Sequence, residues 1–472
     1  MRILFVVPNQ NGDFYKAMHP HTGIAYMMSI LEKGSHLTDV VDLRVENGIK
    51  ALDNKIRIFD PDIIGVSFMS RGYRDSYNFV KFIKNKYDKK VIIGGPHPSL
   101  FPEESIIACN ADYAVMGEGE YAILALANKV PLDKIKNLVW VNGEKITRNE
   151  LEKIKNLDAL PFPDYTKFPL QKYVDRKVAL VTSRGCPFGC IYCSIKNVMG
   201  RNWRARTAEN IIAEIELWKN KGYDFFHIVD DNFSLNRERV ERFCNLLIEK
   251  KLDIKFDLRN GIRIDTVDEE ILKLMKRAGC DFISFGIESL DQEVLDASKK
   301  NLKAEKIEKS VRASINAGIK TGASFIIGLP KDTPAKFQKM LEFIKNNELE
   351  ETLIYNCVPY PKTEMLEWTK NEGRLLAKPE DYLNYASYWK NNVLFETLEF
   401  TKEERELAFK TAERIVWRKL LKKELGPKMS ILAYYFWINP ILKRIFIKPG
   451  IKLWTAVRRI RWKQRYSYNA MD

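Results

Sequence analysis

At 472 residues and 45% hydrophobic side chains, the chain has material for two or three domains with sizeable cores. Its seven cysteines exclude a disulfide framework: three share one loop, while Cys109, Cys244, Cys280 and Cys357 are scattered in apolar contexts, which suits a reducing cytoplasm. The formal charge of +15 is uneven, because residues 427–472 hold ten Lys or Arg against one acid, a net +9 that leaves +6 for everything before them. The opening Met1-Arg2-Ile3-Leu4 reads as a strand without the small-residue cleavage site of a secretory leader.

Through residues 1–130, five short apolar runs read as strands: Ile3–Val7, Asp39–Leu43, Ile63–Ser67, Val91–Gly94 and Asp112–Met116. Between them Ile24–Glu32, Ile49–Phe59, Tyr73–Lys86, Glu103–Cys109 and Glu120–Asn128 carry apolar residues at helical spacing. This alternation predicts an α/β domain, a doubly wound, Rossmann-like parallel sheet covered on both faces. Ligands of such sheets sit at the carboxyl ends of the strands. Those ends carry Pro8-Asn9, Ser67-Phe68-Met69-Ser70, Gly94-Gly95-Pro96-His97-Pro98 and Gly117-Glu118-Gly119-Glu120, where glycines let the backbone approach a bulky planar or phosphate-bearing ligand. Residues 131–171 are expected to be a linker, with a small hairpin at Asn137–Val141 and Lys145–Thr147 turning on Asn142-Gly143. Pro161-Phe162-Pro163-Asp164-Tyr165 then breaks regular structure.

Lys177–Ser183 is a β-rich run. The stretch after it, Arg184-Gly185-Cys186-Pro187-Phe188-Gly189-Cys190-Ile191-Tyr192-Cys193, spaces three thiols as C-x3-C-x2-C on backbone that Pro187 and Gly189 keep irregular. Iron–sulfur clusters are held by Cys thiolates, usually four, so three would leave one iron of a [4Fe–4S] cube open to a small-molecule ligand. A zinc knuckle would want a fourth Cys or His nearby, whereas the near neighbours are Ser194, Lys196 and Asn197 and the nearest histidine is the distant His227. Unlinked core cysteines are the remaining alternative. The segment resembles the radical S-adenosylmethionine (SAM) enzymes, whose signature is C-x3-C-x-aromatic-C, with Tyr192 at the aromatic position. The resemblance implies that Cys186, Cys190 and Cys193 hold a [4Fe–4S] cluster whose open iron chelates the amino and carboxylate groups of SAM. It also implies that one electron, from a reductant such as ferredoxin or flavodoxin, cleaves SAM to a 5′-deoxyadenosyl radical.

Six strand candidates, Lys177–Ser183, Asp224–Asp230, Lys255–Asn260, Asp281–Ile287, Lys320–Gly328 and Glu351–Cys357, predict a partial (β/α)6 barrel within residues 172–370. Its open side would admit a cofactor and a large substrate. After the second strand, Asp230 of Asp230-Asp231-Asn232 is expected to face SAM or substrate; the alternative is a capping role, with Asn232 or Ser234 starting a helix Arg237–Lys250. Among Arg259, Asn260, Arg263 and Asp265, Arg263 could pair bidentately with the SAM carboxylate, with a surface salt bridge as the alternative. Gly286-Ile287-Glu288-Ser289 resembles the Gly-x-Glu-Ser segment of the superfamily, in which the acid contacts SAM. Phe325-Ile326-Ile327 resembles the apolar segment flanking adenine, with ordinary core as the alternative for Phe325. Pro361-Lys362-Thr363 stands where related enzymes commonly have Pro-Gly-Thr.

Over roughly residues 1–420 the order of these segments resembles the radical SAM subfamily with an N-terminal cobalamin-binding domain, which includes class B methyltransferases and anaerobic porphyrin cyclases. The resemblance implies that Asn9, Ser67, Gly94, Gly95, His97, Gly117, Glu118 and Gly119 surround the corrin and its nucleotide tail. The Asp-x-His-x-x-Gly motif of methionine-synthase-type domains is missing; His19 and His21, in His-Pro-His-Thr-Gly, do not match it, so cobalamin is expected without a histidine ligand from that motif. A degenerate flavodoxin-like docking module is the alternative. The implied activity is hydrogen abstraction from an unactivated carbon followed by methyl transfer from methylcobalamin. Cyclisation, oxidation or rearrangement without methyl transfer, and RNA modification, are rival readings.

A helical region is expected over residues 371–426, with a charged amphipathic helix at Glu403–Glu424. In the basic tail, 427–472, the apolar run Ile431–Ile438 is too short to span a bilayer. Beyond Asn439-Pro440, Leu453, Val457 and Ile460 repeat at helical spacing beside Trp454, Trp462 and many Arg and Lys. This pattern suits the surface of an anionic membrane, hence a cytoplasmic protein at the membrane's inner face with a small-molecule, lipid or other large apolar substrate. A helical cap over the barrel and an RNA-binding arm are the alternatives; nucleic acid is not the expected partner.

Overall fold

In the computed structural model of the protein, residues 1–9, 17–173, 175–385 and 391–438 are described. The basic stretch with Leu453, Trp454, Val457, Ile460 and Trp462 lies outside them. The chain divides into two compact units, residues 1–408 and 409–472.

The first sheet holds β1 (Arg2–Val7), β2 (Leu37–Asp42), β3 (Ile63–Ser67), β4 (Lys90–Gly94) and β5 (Tyr113–Val115), parallel in the order β2-β1-β3-β4-β5. Ile3, Leu4, Phe5, Val6 and Val7 are all buried, because helices cover both faces, and a strand buried on both sides must read as a continuous apolar run. The covering helices are α1 (Thr22–Lys33), α2 (Gly48–Phe59), α3 (Tyr73–Lys86), α4 (Pro96–Leu100), α5 (Pro102–Cys109) and α6 (Glu120–Ala127). In this strand order the switch point, where a crevice opens for ligands, lies between β1 and β3. The Asn-Gly hairpin forms as β6 (Leu138–Asn142) and β7 (Lys145–Arg148), and β6 adds antiparallel to β5, so these residues extend the sheet where a linker was expected.

The barrel strands are β8 (Val178–Leu180), β11 (Phe225–Ile228), β12 (Lys255–Ile262), β13 (Cys280–Glu288), β14 (Lys320–Ile327) and β15 (Glu351–Asn356), all parallel and neighbours in chain order. Among the described residues β8 and β15 do not pair, so the barrel is partial and has an open side. A small antiparallel pair, β9 (Ser183–Arg184) with β10 (Arg204–Ala205), brackets the cysteine loop. Helices α7 (Ile195–Val198), α8 (Ala208–Asn220) and α9 (Arg237–Glu249) follow.

The cap of α9 is Asn236, whose side chain accepts from the Arg239 N–H at 2.7 Å, and not Asn232 or Ser234. Asn236→Ala is therefore expected to cost about 1 kcal/mol in urea unfolding without changing iron content.

In the second unit the helical backbone breaks at Gly426 (φ 76°), just before Pro427. Among the described residues no helix is long and apolar enough to cross a membrane.

Candidate cofactor and active site

The cysteine loop is held by its backbone. The Gly185 N–H donates to Asp231 Oδ2 at 2.9 Å and the Cys186 N–H to the Gly200 carbonyl at 3.3 Å. Farther along, the Ile191 N–H donates to the Ser298 carbonyl, and the Met365 N–H to the Ile191 carbonyl, each at 3.1 Å. Phe188 lies beneath the Arg263 guanidinium, 3.7 Å from ring centroid to Cζ. With the loop anchored at both ends, the three thiols stay partly exposed. Burial pushes Cys193 up to about 11, with Cys190 and Cys186 adding repulsion, and burial also raises Cys186. Thiols held up in this way ionise when a metal cation takes the place of the proton.

Among the described residues no three His, Cys, Asp or Glu side chains converge as they would around one ion. The donor chemistry and spacing fit a [4Fe–4S] cluster.

Glu288 ends β13, is 9% exposed, and has a left-handed backbone at φ 69°. A Cβ on Gly286 would stand 2.8 Å from Glu288 Oε1, so the glycine of Gly-x-Glu-Ser clears the space its own carboxylate fills. Lys300, buried and hidden within a lysine pair that reads as surface, sets its Nζ 3.2 Å from that oxygen. Tyr192 is partly buried beside them; burial pushes its phenol well above the usual range, and the Glu288 charge adds to the effect.

Asp230 is buried and turned inward, accepting from the Thr182 N–H at 2.6 Å, the Thr182 hydroxyl at 2.5 Å and the Ser183 hydroxyl at 2.6 Å. These contacts tie β11 to the strand that leads into the cysteine loop, whereas its neighbour Asp231 takes the loop N–H. Arg263 spends its fork on Asp265, at 2.9 and 2.7 Å, and on the Lys300 carbonyl at 2.7 Å. Phe325 corrects the adenine-flanking expectation: it is fully buried and packs edge-on against Phe343 of the covering helix Pro334–Asn346. Alternation along β14 puts Ile326 on the opposite face, where it packs with Ile191 and Tyr192.

At the carboxyl ends of the first sheet a cavity of about 530 Å³ opens. One wall is Val7, Pro8, His21 and Ser67–Arg71 at the β1/β3 switch point; the other is Ser194, Ile195 and Val198 beside the cysteine loop with Tyr355 and Asn356 at the end of β15. The ring of His21 reaches this space. Its Nδ1 accepts from the Ile24 N–H at 3.2 Å, so Nε2 carries the proton and faces Ser67 Oγ at 3.2 Å.

Gly94 faces open space, while a Cβ on Gly95 would stand 2.7 Å from the Phe68 carbonyl oxygen, so Gly95 serves close approach of two loops of the protein itself. Gly117 and Gly119 lie against Lys153 and Met27. Asn9 is exposed just past β1.

Two expected corrin contacts are corrected. His97 is 1% exposed, stacked on Tyr73, with Nε2 on the Tyr77 hydroxyl at 2.8 Å and Nδ1 on Ser70 Oγ at 3.2 Å. It is a satisfied core histidine. Glu118 turns toward the barrel, where its oxygens meet Arg184 Nη1 at 2.8 Å, Arg204 Nη1 at 2.6 Å and the Ile154 N–H at 2.9 Å; Arg184 Nη2 also meets Glu120 at 2.6 Å. Gly-Glu-Gly-Glu is thus an ion-pair latch onto the hairpin that brackets the cysteine loop. Sequence reasoning missed Arg184, Arg204 and Lys300, since nothing in a local pattern marks a cation for burial.

Burial lowers both His97 and His21 to about 4. The folded state keeps them neutral while the unfolded chain takes up protons below about 6.5, so their contribution is complete above that pH and is lost as pH falls toward 4. Denaturant unfolding should show a loss of order 3 kcal/mol per histidine across that window, and His97→Phe should make the fall shallower.

The comparisons agree with this architecture. Residues 180–344 match the model of the Radical SAM superfamily and residues 14–127 that of the B12 binding domain. An uncharacterized methyltransferase, PH0819, of Pyrococcus horikoshii is 28% identical across 97% of each chain. The anaerobic magnesium-protoporphyrin IX monomethyl ester cyclase of Rubrivivax gelatinosus is 26% identical over 78% of this chain and 70% of its own. The radical SAM methyltransferase TsrM of Kitasatospora setae, solved with cobalamin and a [4Fe–4S] cluster, shares the fold with a TM-score of 0.68 at 18% identity, over 78% of each chain. The chain thus carries a B12-binding domain followed by a radical SAM domain, and its cofactors are a [4Fe–4S] cluster, SAM and cobalamin.

Proposed function

We propose that the protein is a cobalamin-dependent radical SAM C-methyltransferase acting on a large apolar substrate. One observation carries the reading: a single cavity is walled on one side by the cobalamin-domain strand ends and on the other by the residues that follow the cysteine loop. When bound, SAM and the cluster supply a radical able to take hydrogen from an unactivated carbon, and cobalamin supplies the methyl group. Cys186, Cys190 and Cys193 hold the cluster. Tyr192, Glu288 and Lys300 border the SAM side, where the carboxylate suits a ribose diol or an ammonium group. Among the described lining residues there is no Asp or Glu; Arg44, paired with Asp42, and Arg71 are its cations, and Val7, Leu100, Ile195, Val198, Val358 and Leu394 supply an apolar part of the wall. Hydrogen-atom abstraction needs no acid or base in that wall, and such a lining favours a lipid or another large apolar molecule. The relative and the solved structure named as methyltransferases support methyl transfer, while the relative named as a cyclase of a porphyrin ester favours the rival reading without it.

Protein purified without oxygen from cobalamin-fed cells should hold about four irons and about one cobalt per chain, and should move labelled methyl from SAM into a lipid extract. Iron without cobalt would remove methyl transfer. Deoxyadenosine formed without S-adenosylhomocysteine would instead identify a cyclase or oxidase. We also place the basic tail at an anionic membrane surface; removing residues 427–472 should then abolish pelleting with anionic liposomes and leave tRNA retention unchanged, and the reverse result would move the tail to RNA.

A further inference from the structure

We propose that Asn356 accepts a hydrogen bond from a primary-amide N–H on the rim of the corrin, which makes it a cofactor-binding residue contributed by the barrel. The inference rests on cobalamin occupying the cavity described above. Asn356 is the last residue of β15 and is 5% exposed. Its carboxamide is clamped: Nδ2 donates to the Asn391 carbonyl at 2.7 Å, the Asn356 backbone N–H donates to Asn391 Oδ1, and Asn391 Nδ2 donates to the Ile354 carbonyl at 2.9 Å. This exchange fixes which end of the amide is which, because the nitrogen must face Asn391. The oxygen is left over. Among the described residues Oδ1 is buried and has no partner, although a buried acceptor is costly to leave unpaired. Asn356 lines the cavity, so a cavity ligand with a suitably placed N–H or O–H can satisfy it.

The chemistry of the opening narrows the donor. A neutral acceptor in a wall without lining carboxylates asks for a neutral N–H or O–H, and a cationic donor would be desolvated there without a counter-charge. Cobalamin presents neutral amide arms around its rim. The apolar substrate proposed above brings no ring of such donors, whereas the corrin rim is lined with them, so the wall group meets the cofactor. This contact would come from the barrel side, opposite the switch-point residues, and would let the barrel as well as the cobalamin domain set the position of the ring.

The test is a spectroscopic titration of the cobalamin-free, full-length protein with hydroxocobalamin. Asn356→Leu keeps the volume and removes the acceptor, and should weaken binding roughly tenfold, the size of one hydrogen bond. Asn356→Asp keeps an acceptor oxygen and should stay within about threefold of wild type. Melting each variant without cobalamin reads the lost Asn391 contact separately. Unchanged hydroxocobalamin affinity in Asn356→Leu, or equal weakening in both variants, overturns the assignment while leaving the cofactor's place intact. Failure of the wild type to bind hydroxocobalamin overturns both the placement and the contact.

Discussion

Cys190→Ala is expected to give a folded protein with incomplete iron and with SAM cleavage lowered on the order of a thousandfold or more, because no other group on the chain can replace the cluster as electron donor. Cys190 is partly exposed in a loop whose backbone is secured by Gly185, Cys186 and Ile191, so little packing is lost with the sulfur. Loss of activity and retention of fold should therefore separate cleanly. Iron content, the visible absorption of the cluster and deoxyadenosine release under strong reductant are the measurements. Cys244→Ala is the control. That thiol is fully buried on α9; its removal should cost about 1 kcal/mol of stability and leave the iron untouched. If Cys190→Ala kept full iron and cleaved SAM, the cluster assignment would fail.

Glu118→Ala is expected to destabilise the protein by about 3–5 kcal/mol, the usual cost of leaving a buried charge without its partner. Arg184 and Arg204 both end on this one carboxylate, and its side chain is wholly buried. Burial works against the ionised form of Glu118, yet the two guanidiniums, Arg184 first, hold it below the usual carboxylate range. That stabilisation is present above the unfolded carboxylate pKa and is lost on acidification through the folded value. Denaturant unfolding at neutral pH measures the loss directly. A double-mutant cycle with Arg204→Ala should show coupling, since the two side chains share an ion pair; Glu118→Ala strands Arg204, whereas Arg204→Ala leaves Glu118 on Arg184. Because Arg184 immediately precedes Gly185-Cys186, the variant should also bind iron less completely, an effect that a merely local salt bridge would not produce.

Much of the architecture was legible before any coordinates. Strands such as Ile63–Ser67 and helices such as Tyr73–Lys86 appear where hydrophobic periodicity places them, because period two and period 3.6 are local properties of the chain. The cysteine loop could be read because its ligands are close in sequence, and Gly-x-Glu-Ser because the glycine and the acid it accommodates are two residues apart.

What stayed hidden was partnership across the chain. His97 in a Gly/Pro loop has the same local signature whether it faces a corrin or the hydroxyl of Tyr77, and only the packing of α3 against α4 decides. Glu118 sits in a glycine-rich turn that suits a nucleotide tail, yet its partners lie 66 and 86 residues away on the β9–β10 hairpin. Phe325 and Ile326 are adjacent apolar residues, and the sheet's inside and outside separate them. The sequence by itself determined the elements, their order and the three-cysteine spacing of the loop, all short-range properties. Tertiary structure alone decided which buried charges meet, which of Phe325 and Ile326 packs on the covering helix and which acceptor is left open in the cavity, because the cost of burying a polar group depends on what the rest of the chain brings to it.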